Sequence, residues 1–303
     1  MQKELFPMKG VITTVITPFT KDLEVDIDSL KNEIETACRA GVAGFLVPCL
    51  ASELDHLSIE ERHAITKATV EVAKGRAKVI AGIAAPTQEQ RIANLKRYME
   101  LGCDGVNVMI PYTSDDEYRR YVEEIDSYHP EFICIQDADF NGPGLPDDLI
   151  VRLFNEVESF KVIKVEVAGC GPKYTRLLKA TDGKLNISGG WGNDQMIEAF
   201  DRGIHSIMPS GLFELYTGVY KRYASGNREA AKKLFYDMLP IISFTRQAQS
   251  TNRKFHKVYM KAMGIFETDL SREQVIFDEY HQRYAMELIE RAKDIMARLD
   301  TDY

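Results

Sequence analysis

Along the first two thirds of the chain, short runs rich in Val and Ile alternate with longer stretches whose apolar residues recur at helical spacing. The runs read as strands over 10–17, where Pro18 stops the first, then 44–49, 78–83, 105–110, 132–136, 160–168, 185–190 and 206–210. Between them, helices are predicted over 26–40, 58–74, 87–101, 115–127 and 194–202, with another opening at Leu145-Pro146-Asp147-Asp148. Leu30, Ile34, Ala37 and Cys38 mark the buried face of the first, and Gly41 lies just past its end. Ser58-Ile-Glu-Glu61 and Thr87-Gln-Glu-Gln90 have the spacing of capping boxes, in which hydroxyl and N3 side chain satisfy each other's backbone N–H groups. The sixth run is followed by Gly169-Cys170-Gly171-Pro172, a turn signal.

Eight strand-then-helix units with short connections predict a parallel sheet with right-handed crossovers, and eight is the number that closes into a barrel. The expected fold is α/β, a (β/α)8 TIM barrel with a C-terminal helical extension, divided as 1–224 for the barrel and 225–303 for the helical region. The competing architecture is an open doubly wound sheet; no GxGxxG follows the first strand to support its dinucleotide-binding form. Beyond Gly211 the pattern is helical through Tyr220, over 232–238, 255–263 and 272–297. Its aromatic residues predict a layer packed on the barrel or on a neighbouring subunit.

The sixth run, Phe160-Lys-Val-Ile-Lys-Val-Glu-Val-Ala168, carries the chemistry. Strand side chains alternate, so Val162, Lys164 and Glu166 share one face, and Ile163, Val165 and Val167 the other. An apolar set facing covering helices leaves the polar set facing whatever the sheet encloses. A lysine taken out of water tends towards the neutral amine, the form that condenses with a ketone to give a Schiff base. The plain alternative is a lysine that snorkels to solvent and pairs with Glu166.

A net charge of -8 and a pI near 5.4, with no basic run, argue against a nucleic-acid partner. No signal-peptide core and no membrane-length apolar stretch is present, which predicts a soluble cytoplasmic protein with no membrane partner. Five scattered cysteines, without CxxC or Cys/His ligand spacing, predict reduced thiols and no metal site.

In a barrel of this kind reacting groups sit at the C-terminal ends of strands. Those positions hold Thr17, the segment Cys49-Leu50-Ala51-Ser52-Glu53, Tyr112, Gln136, Asp137 and Asp139, Lys164 and Glu166, Ser188 to Trp191, and Met208 to Ser210. From this set Lys164, Glu166 and Gln136 are the catalytic candidates; Ala51, Ser52, Asp137, Gly190 and Met208 are the substrate-binding candidates. Asp137 and Asp139 read equally as turn residues, and Trp191 as a pocket wall or a packing residue. His56 lies in a loop that could reach the site mouth, although a lone loop histidine is commonly solvated.

The chain resembles the superfamily of dihydrodipicolinate synthase and N-acetylneuraminate lyase over essentially its whole length. The landmarks are the Gly10-to-Phe19 start, Val25-Asp26 with Leu30, Gly41-Val-Ala-Gly44-Phe, and Glu53 with Leu57-Ser58 and Glu61-Arg62. Val79-Ile-Ala-Gly82, Pro111-Tyr112, Ile163-Lys164 and Ser188-Gly189 continue the series. The resemblance implies a Schiff base between Lys164 and pyruvate or a related 2-keto acid, an aldehyde-type second substrate, a homotetramer, and neither metal nor organic cofactor.

The family's Gly-Thr-Thr-Gly-Glu loop, which binds the keto-acid carboxylate, reads Cys49-Leu50-Ala51-Ser52-Glu53 here. Backbone donors at Ala51 and Ser52, and the Ser52 hydroxyl, are the expected substitutes. Gln136 stands where the family has the tyrosine that relays protons, and Thr113 replaces the second tyrosine of Pro-Tyr-Tyr. An amide cannot shuttle a proton as a phenol does, which argues against dihydrodipicolinate synthesis itself. Glu166, with Asp137 or water, is the expected replacement. The function expected is a class I carbon–carbon lyase or aldolase; the alternative is a catalytically degenerate barrel that binds a keto acid in a structural or regulatory role.

Overall fold

The computed structural model describes residues 3–190 and 193–303. Among them, eight parallel strands follow one another round a closed barrel: β1 (Gly10–Thr14), β2 (Gly44–Leu46), β3 (Lys78–Gly82), β4 (Gly105–Val108), β5 (Phe132–Asp139), β6 (Phe160–Val167), β7 (Asn186–Gly189) and β8 (Ser206–Ile207). Closure comes from β8 returning to β1, with Gly10 opposite Ser206 and Val11 opposite Ile207. Each strand feeds a helix on the outside: α1 (Ile27–Ala40), α2 (Ile59–Ala73), α3 (Gln88–Glu100), α4 (Asp115–Asp126), α5 (Asp147–Glu156), α6 (Cys170–Ala180), α7 (Met196–Asp201) and α8 (Phe213–Ala224). The chain then continues as α9 (Arg228–Thr245), α10 (Gln249–Ala262) and α11 (Glu279–Ala297).

Both expected capping boxes form, at Ser58–Glu61 and Thr87–Gln90, and Gly41 ends α1 in the left-handed conformation at φ 89°. Two expectations change. The segment read as a turn after β6 is the first turn of α6: Gly169 takes φ 63° to start it, and Pro172 falls in the turn whose N–H groups have no helical partner. Residues 272–278 are not helical: Arg272 N and Glu273 N donate to the Glu53 carboxylate at 2.9 and 3.0 Å, and the helix starts only at Glu279, capped by Asp278.

The core has two layers, and β6 contributes to both as its alternation predicts. Ile163, Val165 and Val167 pack outward among the helices, whereas Val162 packs inside the barrel with Ile12, Leu46, Ile80, Phe132 and Met208. The N-terminal segment stoppers the floor of the barrel. Asn186 Nδ2 donates to Phe6 O at 3.0 Å and Met8 O at 2.6 Å, and the Phe6 ring stacks obliquely on Phe132 with centroids 4.6 Å apart. A filled floor leaves the interior polar groups facing the C-terminal ends of the strands.

Gly82, the last residue of β3, lies so close to the Pro48 carbonyl oxygen that an added Cβ would stand 2.0 Å from it. Gly82→Ala is expected to cost ~1–3 kcal/mol, the usual penalty for overpacking, read as a lower urea midpoint. An unchanged midpoint would show that β2 and β3 are not packed this closely beneath the Cys49–Glu53 loop.

Candidate active site

The lysine at the centre of β6 is 5% exposed and points into the barrel. Its Nζ lies 3.1 Å from Glu166 Oε1. The other oxygen of Glu166 accepts from Gln136 Nε2 at 2.6 Å, and Gln136 Oε1 accepts from Asn107 Nδ2 at 2.8 Å. The register makes this chain: β5 and β6 pair Gln136 with Lys164, and β4 and β5 pair Asn107 with Cys134, two residues before Gln136 on the same face. Gly190 makes room for it, since a Cβ there would stand 2.3 Å from Glu166 Oε1. Cys134, below the pair, has its thiol pushed up to about 12 by burial.

Three buried lysine–carboxylate pairs stand at this end of the barrel, and they differ in what else the amine touches. Lys173 Nζ meets Asp137 Oδ2 at 2.6 Å and also donates to Pro143 O at 2.9 Å and Leu145 O at 2.7 Å. Lys257 meets Glu53, donates to Leu270 O at 2.8 Å and sits 4.3 Å from the centre of the Phe19 ring; burial pushes it down to about 8. Both are saturated fasteners. Lys164 has Glu166 as its single polar side-chain partner among the described residues, which leaves ammonium or amine directions open to the space above.

That space is a pocket of about 60 Å³ lined by Thr14, Cys49, Ala51, Gln136, Lys164, Glu166, Met208 and Ser210, and roofed by Thr245, Gln249, Asn252 and His256. A cavity needs ~10–15 Å³ to admit one water molecule, so this one has room for a small polar molecule. A second cleft of about 830 Å³ opens beside it over the ends of β2 to β5, and Leu50 and Gln136 line both.

Five of the expected residues, Lys164, Glu166, Gln136, Ala51 and Met208, border the small pocket together, and Gly190 abuts Glu166. Ser52 does not reach it. Its N–H donates to Cys49 O, its hydroxyl donates to Val15 O at 2.7 Å and accepts from Cys49 N at 3.2 Å, so the loop consumes its donors. The Asp137 carboxylate faces away from the amine: it pairs with Val165 across the strands, on the outward face, and binds Lys173 and Leu145 N. Burial nonetheless raises it above the ordinary carboxylate range. Asp139 accepts from Gly144 N at 3.1 Å, a turn role.

His56 is exposed and borders neither cleft, and Trp191 lies outside the described residues. Asn107 and His256 were not legible as site residues; nothing in local spacing connects an Asn on β4 or a His on α10 to a lysine on β6. Among the described residues no group of three or more His, Cys, Asp or Glu side chains is gathered as a metal would require, and no helix is long and apolar enough to cross a membrane.

The model of the Dihydrodipicolinate synthetase family matches residues 7–291. The 4-hydroxy-tetrahydrodipicolinate synthase of Endomicrobium trichonymphae is 26% identical over 242 residues, covering 77% of this chain and 81% of that protein. The Methanosarcina mazei enzyme of the same name is 28% identical over 245 residues, with the same coverage. Among solved structures, the 4-hydroxy-tetrahydrodipicolinate synthase of Methylacidiphilum fumariolicum SolV superposes with TM-score 0.86 at 20% identity, covering 96% of this chain and 98% of that one. The sialic acid aldolase of Ruminococcus gnavus does so with TM-score 0.85 at 17% identity, covering 96% and 99%.

His256, 3% exposed, presents an Nδ1 without a hydrogen-bond partner at the roof, and burial pushes its imidazole down from 6.5 to about 3. Between those values the unfolded chain takes up a proton that the native chain refuses, so stability is lost as pH falls through 6.5 towards 3 and is unaffected above. His256→Asn is expected to lose less stability than the parent over that window in urea titrations at stepped pH. Parallel curves would show that His256 is not one of the groups responsible.

Proposed function

The chain belongs to the dihydrodipicolinate synthetase family, and from that premise we propose that it is a lyase of the Schiff-base aldolase type, using Lys164 on pyruvate or a related small 2-keto acid. The observation that carries the reading is the contrast among the three buried lysines: two have their donors spent on backbone carbonyls, and the third faces a pocket with one carboxylate beside it. An amine buried without full partners destabilises the fold, which makes a purely structural role a poor explanation for it.

Glu166 is the proton carrier in this account. Glu166 takes a proton from the Lys164 ammonium beside it, and the neutral amine adds to the ketone carbon as Glu166 passes that proton to the carbonyl oxygen; the added nitrogen then gives a second proton to Glu166. Glu166 then returns its proton as the hydroxyl departs as water, and the iminium remains. The iminium withdraws electrons from the adjacent carbon, so the bond next to it can break to release an aldehyde or form by attack on one. Gln136, fixed by Asn107, holds Glu166 by its second oxygen and keeps the first turned towards the amine. Its amide replaces the phenol that the family uses, and for that reason the reaction assigned is not dihydrodipicolinate synthesis. A homotetramer in the cytoplasm goes with this reading.

The amide in place of the phenol also favours a second reading, a barrel that binds a keto acid without turning it over. Borohydride reduction in the presence of a panel of 2-keto acids separates the two. The expected result is a stable adduct in the intact mass, mapped to Lys164 and absent in Lys164→Ala; no adduct with any keto acid overturns the Schiff-base reading. Glu166→Gln is expected to lower carbon–carbon lyase turnover by ~10²–10⁴, the usual range for a general acid–base group. Full turnover in that variant would assign the proton transfers to another group.

A further inference from the structure

The loop that follows β2 forms one wall of the amine pocket through Cys49, Leu50 and Ala51. Two of its N–H groups are engaged inside it, Ser52 N with Cys49 O and Cys49 N with the Ser52 hydroxyl. Ala51 N–H has no oxygen acceptor among the described residues, and the group beside it is the Cys49 sulfur, a weak acceptor. A backbone donor left short at the edge of a pocket is available to a ligand.

What fixes the direction of that donor lies on α10. Gln249, Asn252, Arg253 and His256 fall on one helix face at spacings of three and four, and all but Arg253 roof the pocket. Arg253 reaches the loop instead, where its Nη1 donates to Leu50 O at 3.2 Å. The rest of its guanidinium is clamped: Nε donates to Glu273 Oε1 at 2.6 Å and Nη2 to Glu273 Oε2 at 2.5 Å, while Glu273 N donates to Glu53 at the end of the same loop. The two side chains are only 15% and 8% exposed, so water competes little for the fork.

Leu50 O and Ala51 N belong to one trans peptide, whose carbonyl and N–H point in opposite directions. A cation donating to the oxygen holds the plane of that peptide and draws electrons from it, which makes the N–H on the far side a stronger donor. The ion pair with Glu273 leaves Arg253 little net charge with which to attract an anion from a distance, so its influence runs through the peptide it grips.

We propose that Arg253 is a positioning residue: by holding Leu50 O it turns and polarises the Ala51 N–H as the donor that receives the keto-acid carboxylate beside Lys164. This rests on the Schiff-base reading and deepens it, assigning to a helix outside the barrel the orientation of the acid-binding loop.

The test titrates the whole protein with pyruvate and with its neutral analogue pyruvamide, binding being read by ligand-observed NMR and the borohydride adduct separately by intact mass. The parent is expected to bind pyruvate at least tenfold more tightly than pyruvamide. Arg253→Met, checked for native circular dichroism, is expected to raise the half-saturating pyruvate concentration ~tenfold, to change that of pyruvamide less than twofold, and to leave the adduct at saturating pyruvate intact. Glu273→Gln, which removes the ion pair but not the Leu50 contact, is expected to keep the preference within twofold of the parent. Equal loss of both ligands in Arg253→Met would be a merely structural effect and overturns the proposal, as does an unchanged preference in that variant or none in the parent. Should Arg253→Met not fold, Arg253→Lys, with a single ammonium in place of the fork, takes its place, and an unchanged preference there counts against the proposal. A preference lost in Arg253→Met without any adduct in the parent would retain the positioning role and discard the Schiff base; adducts formed alike by parent and Arg253→Met at every pyruvate concentration would do the reverse.

Discussion

Everything at the open end of this barrel is arranged around an amine and a carboxylate 3.1 Å apart in a place water scarcely reaches. Removing either charge from water costs several kcal/mol, and attraction between the two recovers that only when the remaining lone pairs are also satisfied. Glu166 meets the condition through Gln136, and Gln136 through Asn107, so three strands contribute one side chain each to hold one carboxylate in one orientation. Gly190 on the far side is the steric condition for the same arrangement. The amine meets the condition least well, and a group left short of partners inside a pocket is where a substrate finds its binding energy.

The other buried charges explain why that shortfall is tolerated. Glu53 lies at φ 55° at the end of the loop after β2, and its carboxylate gathers Lys257 from α10 and two backbone N–H groups from the segment before α11. Asp137 and Lys173 tie the loop after β5 to α6 in the same way. Glu33, fully buried on α1 and held well above the ordinary carboxylate range by that burial, accepts from Ile16 N at 3.1 Å behind the end of β1. These fasteners fix the loops that form the pocket walls, so the rim stays ordered without help from the reactive pair.

The periodic features of the fold were legible because they depend on neighbours in sequence. Alternation along 160–168 places Lys164 and Glu166 inside and three aliphatics outside, and the capping boxes at Ser58 and Thr87 locate their helices. What failed to show depends on distant partners. Asp137 looks like any loop aspartate until Lys173 arrives from the following helix, and Ser52 looks like a free hydroxyl until the Val15 carbonyl claims it. Residues 272–278 read as the start of a helix, but Arg272 N and Glu273 N are held by Glu53, more than two hundred positions earlier, and the helix begins only after Asp278 caps it. Asn107 and His256 reach the pocket through position in a closed barrel, which no local spacing encodes.

The central claim is that the Lys164 amine condenses with a ketone while Glu166 stands within hydrogen-bonding reach. A crystal soaked in pyruvate and borohydride tests it by direct view of the bond. The account predicts continuous electron density from Lys164 Nζ to the former ketone carbon, with Glu166 still held by Gln136 and within hydrogen-bonding distance of that nitrogen. An unmodified lysine paired with Glu166 as before, with the keto acid absent or bound away from the amine, would contradict it.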